Sequence, residues 1–204
     1  MNFETFRQAF ENRTIIPTND IIKRFPDFDT HRLTQWQHKG YIQKIINRFY
    51  TWPNKPLDDY KLALIANRIY APSYISLKSA LRWYNFIPEG VFQQFSVTTR
   101  KTKDFDTLIG GFRYKNVNPT LFFGYYPVPP ERGGFLLAEP EKALLDTFYL
   151  YPQIKDRLDI EGLRLNYDEI AALCSIQKLE HYAYIFDNRR VYSLISIIIQ
   201  ALKA

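Results

Sequence analysis

Thr30, His31, Thr34, Gln35 and His38 recur at intervals that set them on the outward side of one helical stretch, and each side chain can form hydrogen bonds. A helix carrying such a row can enter a duplex major groove about 12 Å wide and read base edges, with glutamine suited to adenine. Lys23, Arg32, Lys39, Lys44 and Arg48 flank that stretch and offer cations to the two phosphate backbones. The chemistry implied is recognition of double-stranded DNA. His31 and His38 stand seven apart with no cysteine to complete a set, which excludes them as a metal pair.

Glu139, Glu141, Lys142 and Asp146 form the densest charged cluster, and Asp104 and Asp106 lie on an expected hairpin upstream. Carboxylates with a lysine can serve a metal-dependent nuclease, but that chemistry needs acid and lysine alternating on one strand so that both face the metal. Glu141 and Lys142 are adjacent at an expected helix start, so the cluster reads as carboxylates favoured by the helix dipole plus a surface pair at i,i+4. Gly110-Gly111 and Gly133-Gly134 lack a phosphate-loop pattern, the latter reading as a turn. Cys174 and His181 have no placed partner, and the thiol is expected buried and inert. The expectation is no catalytic residue, no cofactor and no metal. Arg100, Lys101 and Lys103 concentrate charge between two expected strands, as a patch for nucleic acid or an acidic partner, or as protection of a sheet edge.

Three short helices and a hairpin must position the reading row. Phe3, Phe6 and Phe10 fall at helical spacing; Pro17-Thr18-Asn19-Asp20 starts a second helix that Pro26 closes. Asp27 or Asp29 caps a third, which leaves through Gly40. Leu33 and Trp36 share its inward stripe. β-Branched and aromatic runs on either side of Asn47-Arg48 predict a two-stranded wing. Trp52-Pro53-Asn54-Lys55-Pro56 marks a boundary, giving a winged helix-turn-helix over residues 1–55 and a second domain over 56–204.

In the second domain, residues 57–70 and 76–84 read as helices, with Ser76 capping the latter. Residues 94–100, 104–108, 111–117 and 121–126 read as short strands of a small antiparallel sheet. Helices return over 141–149, 168–174, 179–186 and 191–202, the last apolar on most faces and so either a central core helix or an interface with a partner or second copy. The class is α+β: a winged helix followed by a small antiparallel sheet flanked by helices.

The 204 residues suffice for these two units, and 46% hydrophobic content with 16 Phe, 15 Tyr and 3 Trp excludes disorder. The net charge of +6 permits a phosphate-rich partner, and residues 1–55 carry nine Lys or Arg against five Asp or Glu. A single cysteine excludes an internal disulfide, and no leader or membrane-spanning run is apparent, so a cytoplasmic protein away from membranes is expected.

The blocks Pro72-Ser73-Tyr74-Ile75-Ser76-Leu77-Lys78-Ser79-Ala80-Leu81, Ile87-Pro88-Glu89, Val97-Thr98-Thr99-Arg100-Lys101-Thr102, Phe123-Gly124 and Leu137-Ala138-Glu139-Pro140-Glu141-Lys142-Ala143-Leu144-Leu145-Asp146 follow the N-terminal segment in order. Over residues 1–150 the chain resembles the AbiEi-type antitoxins of type IV toxin–antitoxin (abortive infection) systems. The resemblance implies a transcriptional repressor that binds inverted repeats in its own operator and opposes a nucleotidyltransferase-like toxin of the AbiEii kind. Where that family has an Arg-Gly-x-Tyr wing turn, this chain has Asn47-Arg48-Phe49-Tyr50, which puts the left-handed residue at Asn47. The alternatives are a winged helix that binds a protein instead of DNA, and a nuclease-like domain fused to one.

Overall fold

Phe6 and Phe10, one helical turn apart, are the buried face of α1 (Phe3–Phe10), which Asn2 caps by accepting from the Thr5 backbone N–H at 2.9 Å. The computed structural model describes residues 1–90, 92–132 and 134–203, with Arg132 described by its backbone; Gly133, half of the expected Gly133-Gly134 turn, lies outside the described residues. After α1 come β1 (Ile16–Pro17), α2 (Thr18–Arg24), α3 (His31–His38), β2 (Gln43–Ile46) and β3 (Phe49–Thr51). The three strands form an antiparallel sheet in the order β1-β3-β2. No side chain caps α2; Asp20 instead meets Arg13 at 2.6 Å.

A cluster of nine buried residues, among them Phe6, Phe10, Ile21, Leu33, Trp36 and Tyr50, closes this segment from within. Trp36 is its centre, with the rings of Phe3, Phe6 and Phe28 at 5.3, 4.8 and 5.7 Å. Aromatic pairs at these separations contribute about 0.5–1.5 kcal/mol each beyond area burial.

The rest of the chain is α4 (Asp59–Ile69), β4 (Ser73–Ile75), α5 (Leu77–Trp83), β5 (Gln93–Thr98), β6 (Lys103–Thr107), β7 (Gly110–Asn116), β8 (Tyr125–Pro127), β9 (Leu136–Ala138), α6 (Pro140–Leu150), α7 (Arg157–Gly162), α8 (Tyr167–Leu173), α9 (Ile176–Phe186) and α10 (Arg189–Lys203). Ten α-helices and two sheets among the described residues make the class α+β.

The larger sheet departs from the sequence expectation. It has six strands in the order β6-β7-β5-β4-β9-β8, and it is mixed: β5 pairs with β7, and β4 with β9, in parallel. The short runs 73–75 and 136–138 fill its centre. Three-residue strands buried on both faces carry no alternation, so periodicity passes over them. Residues 121–126 form a 3-10 turn (Pro119–Leu121) and then β8 rather than one strand. Of the two readings of the run toward the C-terminus, the core helix is the one found, with Val191, Leu194, Ile195, Ile198 and Ile199 of α10 buried.

Candidate nucleic-acid interface

The outward row stands where α3 turns away from its own core. Asp29 Oδ1 accepts from the His31 backbone N–H at 2.9 Å and opens the helix; Gly40, at φ +68°, ends it in the left-handed conformation that favours glycine. Leu33 and Trp36 seal the inner side, so Thr30, His31, Thr34, Gln35 and His38 are all solvent-exposed.

The tip between β2 and β3 meets the start of this row. Arg48, at φ +69°, holds the left-handed position that the sequence reading gave to Asn47. A side chain in that conformation costs about 1–2 kcal/mol, and here it is supported from outside the hairpin. The Thr18 backbone N–H donates to the Arg48 carbonyl at 2.9 Å and Thr18 Oγ1 donates to it at 3.2 Å, tying the tip to the first residue of α2. Thr18, Thr30, His31, Thr34, Asn47 and Arg48 thereby line one open groove of about 340 Å³. Gln35 and His38 continue along α3 outside it. The sequence reading placed Thr18 at a helix start and Asn47 at the turn but neither among the candidate site residues, because their place in the groove depends on a contact thirty residues apart.

The five expected phosphate contacts are dispersed. Lys23 lies exposed in the last turn of α2, Lys39 at the end of α3 and Lys44 on β2, while Arg48 is at the tip. Arg32 is half-buried and donates to the Met1 carbonyl at 2.8 Å, so it fastens the N-terminus to α3. Arg100, Lys101 and Lys103 cluster at the β5–β6 turn, as the sequence suggests. Arg100 lies over the Tyr70 ring, 4.0 Å from its centroid, and donates to the Ala71 carbonyl; Arg100, Lys101 and Lys103 are all exposed.

The second charged cluster overturns its reading as a surface pair. Lys142 and Asp146 are 0% exposed and Glu141 3%. Lys142 pairs with Asp146 Oδ1 and donates to the Tyr74 hydroxyl at 2.8 Å; Tyr74 and Ser76 each donate to Asp146 Oδ2, at 2.9 and 2.8 Å. Ser76 therefore serves Asp146 and makes no cap bond to α5. Gly124, at φ +68°, passes so near that a Cβ there would stand 3.1 Å from Lys142 Cγ and 3.1 Å from the Tyr182 ring. Glu141 accepts from the Ser175 backbone N–H at 2.9 Å, Lys178 pairs with Glu139 at 3.1 Å, and Asp106 is engaged by Arg113. Among the described residues no group of His, Cys, Asp and Glu has the placement to hold a metal. Cys174 is half-buried, and burial pushes its thiol up to about 12.

Burial also raises the phenols of Tyr74, Tyr84 and Tyr114. An unfolded chain begins to ionise tyrosine near pH 10, whereas the folded chain keeps these three protonated, so the stability they contribute is complete below about pH 10 and is lost as the pH rises further. Lys142, lowered chiefly by burial against the pull of Asp146, acts with the opposite sign. Tyr50, Tyr151, Tyr167 and Tyr182 are raised by burial as well and act in the same direction as Tyr74, Tyr84 and Tyr114. Urea unfolding between about pH 8 and about pH 11 should show stability declining from about pH 9, where an unfolded thiol ionises and Cys174 does not, and more steeply from about pH 10; a flat profile would contradict the burial of these groups.

The sequence matches no family model and no curated protein. Among solved structures the crystal structure of the RV2827C protein from Mycobacterium tuberculosis is similar, with a TM-score of 0.61 and 14% identity, covering 95% of this chain and 74% of that one. At this identity the likeness is one of fold alone. No helix among the described residues is long and apolar enough to cross a membrane.

Proposed function

We propose that the chain binds double-stranded DNA sequence-specifically through an N-terminal winged helix, and that it acts as the repressor and antitoxin of a type IV toxin–antitoxin operon. Residues 1–55 form the DNA-binding unit in this reading, and residues 56–204 the antitoxin domain. One observation carries the DNA-binding part: Thr30, His31 and Thr34, the first part of the exposed row of α3, converge with the Arg48 tip on a single open groove, while the helix's other side is sealed by Leu33 and Trp36. A duplex seated there would put Thr30, His31, Thr34, Gln35 and His38 toward base edges. Lys23, Lys39, Lys44 and Arg48 would then face phosphates. The antitoxin part rests on the ordered blocks between Pro72 and Asp146, which resemble AbiEi-type antitoxins; inverted-repeat operator DNA and an AbiEii-like nucleotidyltransferase are the partners it implies. The reading is non-enzymatic and cytoplasmic.

Replacing Lys44 and Arg48 together by Ala should weaken binding to every duplex and make the dependence of log Kd on log salt shallower by about 2, one for each phosphate left without its cation. Gln35→Ala should instead relax sequence choice, costing about 1–3 kcal/mol on the preferred site. Fluorescence anisotropy on duplexes selected from a random pool, titrated over salt, separates the two. If the wild-type chain shows no duplex affinity at low salt, the groove belongs to a protein partner instead.

A further inference from the structure

We infer that the larger body of the protein positions the β2–β3 wing for duplex contact, through a seam made by Ile15, Ile45, Ile46 and Phe49. The inference rests on the DNA-binding reading above.

The three-stranded sheet is shared between two cores. Ile16, Lys44 and Tyr50 are cross-strand partners, so their side chains leave the same face; Ile16 and Tyr50 close the core of α1, α2 and α3. The opposite face does not look outward. Ile15 and Ile45, 7% and 6% exposed, belong to the core built by the larger sheet and its helices, and Ile46 and Phe49 pack against that same core. The edge strand β2 runs beside β6, the edge strand of the larger sheet. The register shifts between Lys44 and Ile46, so Ile45 is the extra residue and both Ile45 and Ile46 turn to the far side, while Lys44, paired with Tyr50, stays on the near face, the side of α3. Thr18 fixes the tip from the other end by its two bonds to the Arg48 carbonyl. Lys44 and Arg48 are thus presented from a hairpin held on both faces, and binding need not order it. Wings standing free of their protein must be ordered by the duplex, at a cost in affinity.

The test uses the full chain and a duplex selected by the wild type, in two arms. In the first, Ile45→Ala leaves every proposed DNA-contacting residue in place. It should accelerate amide exchange in β2 and β3 while α3 stays protected, and weaken duplex binding about tenfold with the salt dependence kept, since Lys44 and Arg48 still meet their phosphates once the duplex has ordered the wing; Ile45→Val should restore the affinity. Faster wing exchange with unchanged affinity would overturn the inference. The second arm covers a variant that fails to fold. Wild-type chain saturated with duplex should slow amide exchange in β6 as well as in α3, because a held wing is linked to the strand beside it. Protection confined to α3 would overturn the inference while leaving the DNA-binding reading intact, and a wild type that selects no duplex would remove that reading itself.

Discussion

Lys142→Ala is expected to cost about 3–5 kcal/mol of folding stability, because it leaves the Asp146 carboxylate buried without its cation. The surroundings offer no replacement. Asp146 is 0% exposed; Tyr74 and Ser76 already donate to its Oδ2, and rings of Tyr74, Phe123 and Phe186 surround the ammonium at 5.3, 5.2 and 5.0 Å, so water has little room to enter. A loss of this size lowers Tm by roughly 10 °C in a chain of this length. Removing the whole network, by Lys142→Met with Asp146→Leu, Tyr74→Phe and Ser76→Ala, should recover much of the loss, since apolar replacements of similar volume leave no stranded charge. Urea denaturation of the two variants beside wild type decides it. A Lys142→Ala protein as stable as wild type would mean that the network carries no weight.

Trp36→Ala should have a comparable effect, confined to the N-terminal segment. Deleting a buried tryptophan costs about 3–5 kcal/mol, and here it empties the centre of a cluster of only nine buried residues. So small a core has little surplus. The expected result is that α1, α2 and α3 lose amide protection and, on the proposed DNA-binding reading, duplex binding disappears, while the six-stranded sheet keeps its own protection, since its strands draw on the larger core. Hydrogen exchange resolved along the chain measures this directly. Uniform loss of protection across both sheets would show that the two cores melt as one, and a variant that still binds duplex with wild-type affinity would remove Trp36 from its supporting role.

The outward row of α3 was legible because helical periodicity is a local property: Leu33 and Trp36 define one side, and Thr30, His31, Thr34, Gln35 and His38 are what remains. Gly40 as the exit from α3, the apolar stripe of α10 and the α+β class were readable for the same reason, since each depends on residues within a few turns of one another. The tertiary structure decided whatever depends on distant partners. Lys142 and Asp146 have the i,i+4 spacing of a solvated surface pair, and only the arrival of Tyr74 and Ser76, some seventy residues earlier in the chain, makes them a buried network. The parallel pairings of β4 with β9 and β5 with β7 are likewise invisible to a strand read by itself. At the β2–β3 tip, a turn needing one left-handed residue could be read from Asn47-Arg48, but its assignment to Arg48 accompanies the fastening of the Arg48 carbonyl to Thr18. Sequence alone therefore determined which side chains α3 leaves on its outward side; the packing of distant segments decided how the β2–β3 hairpin beside it is held, because burial and register belong to pairs of segments and not to either one.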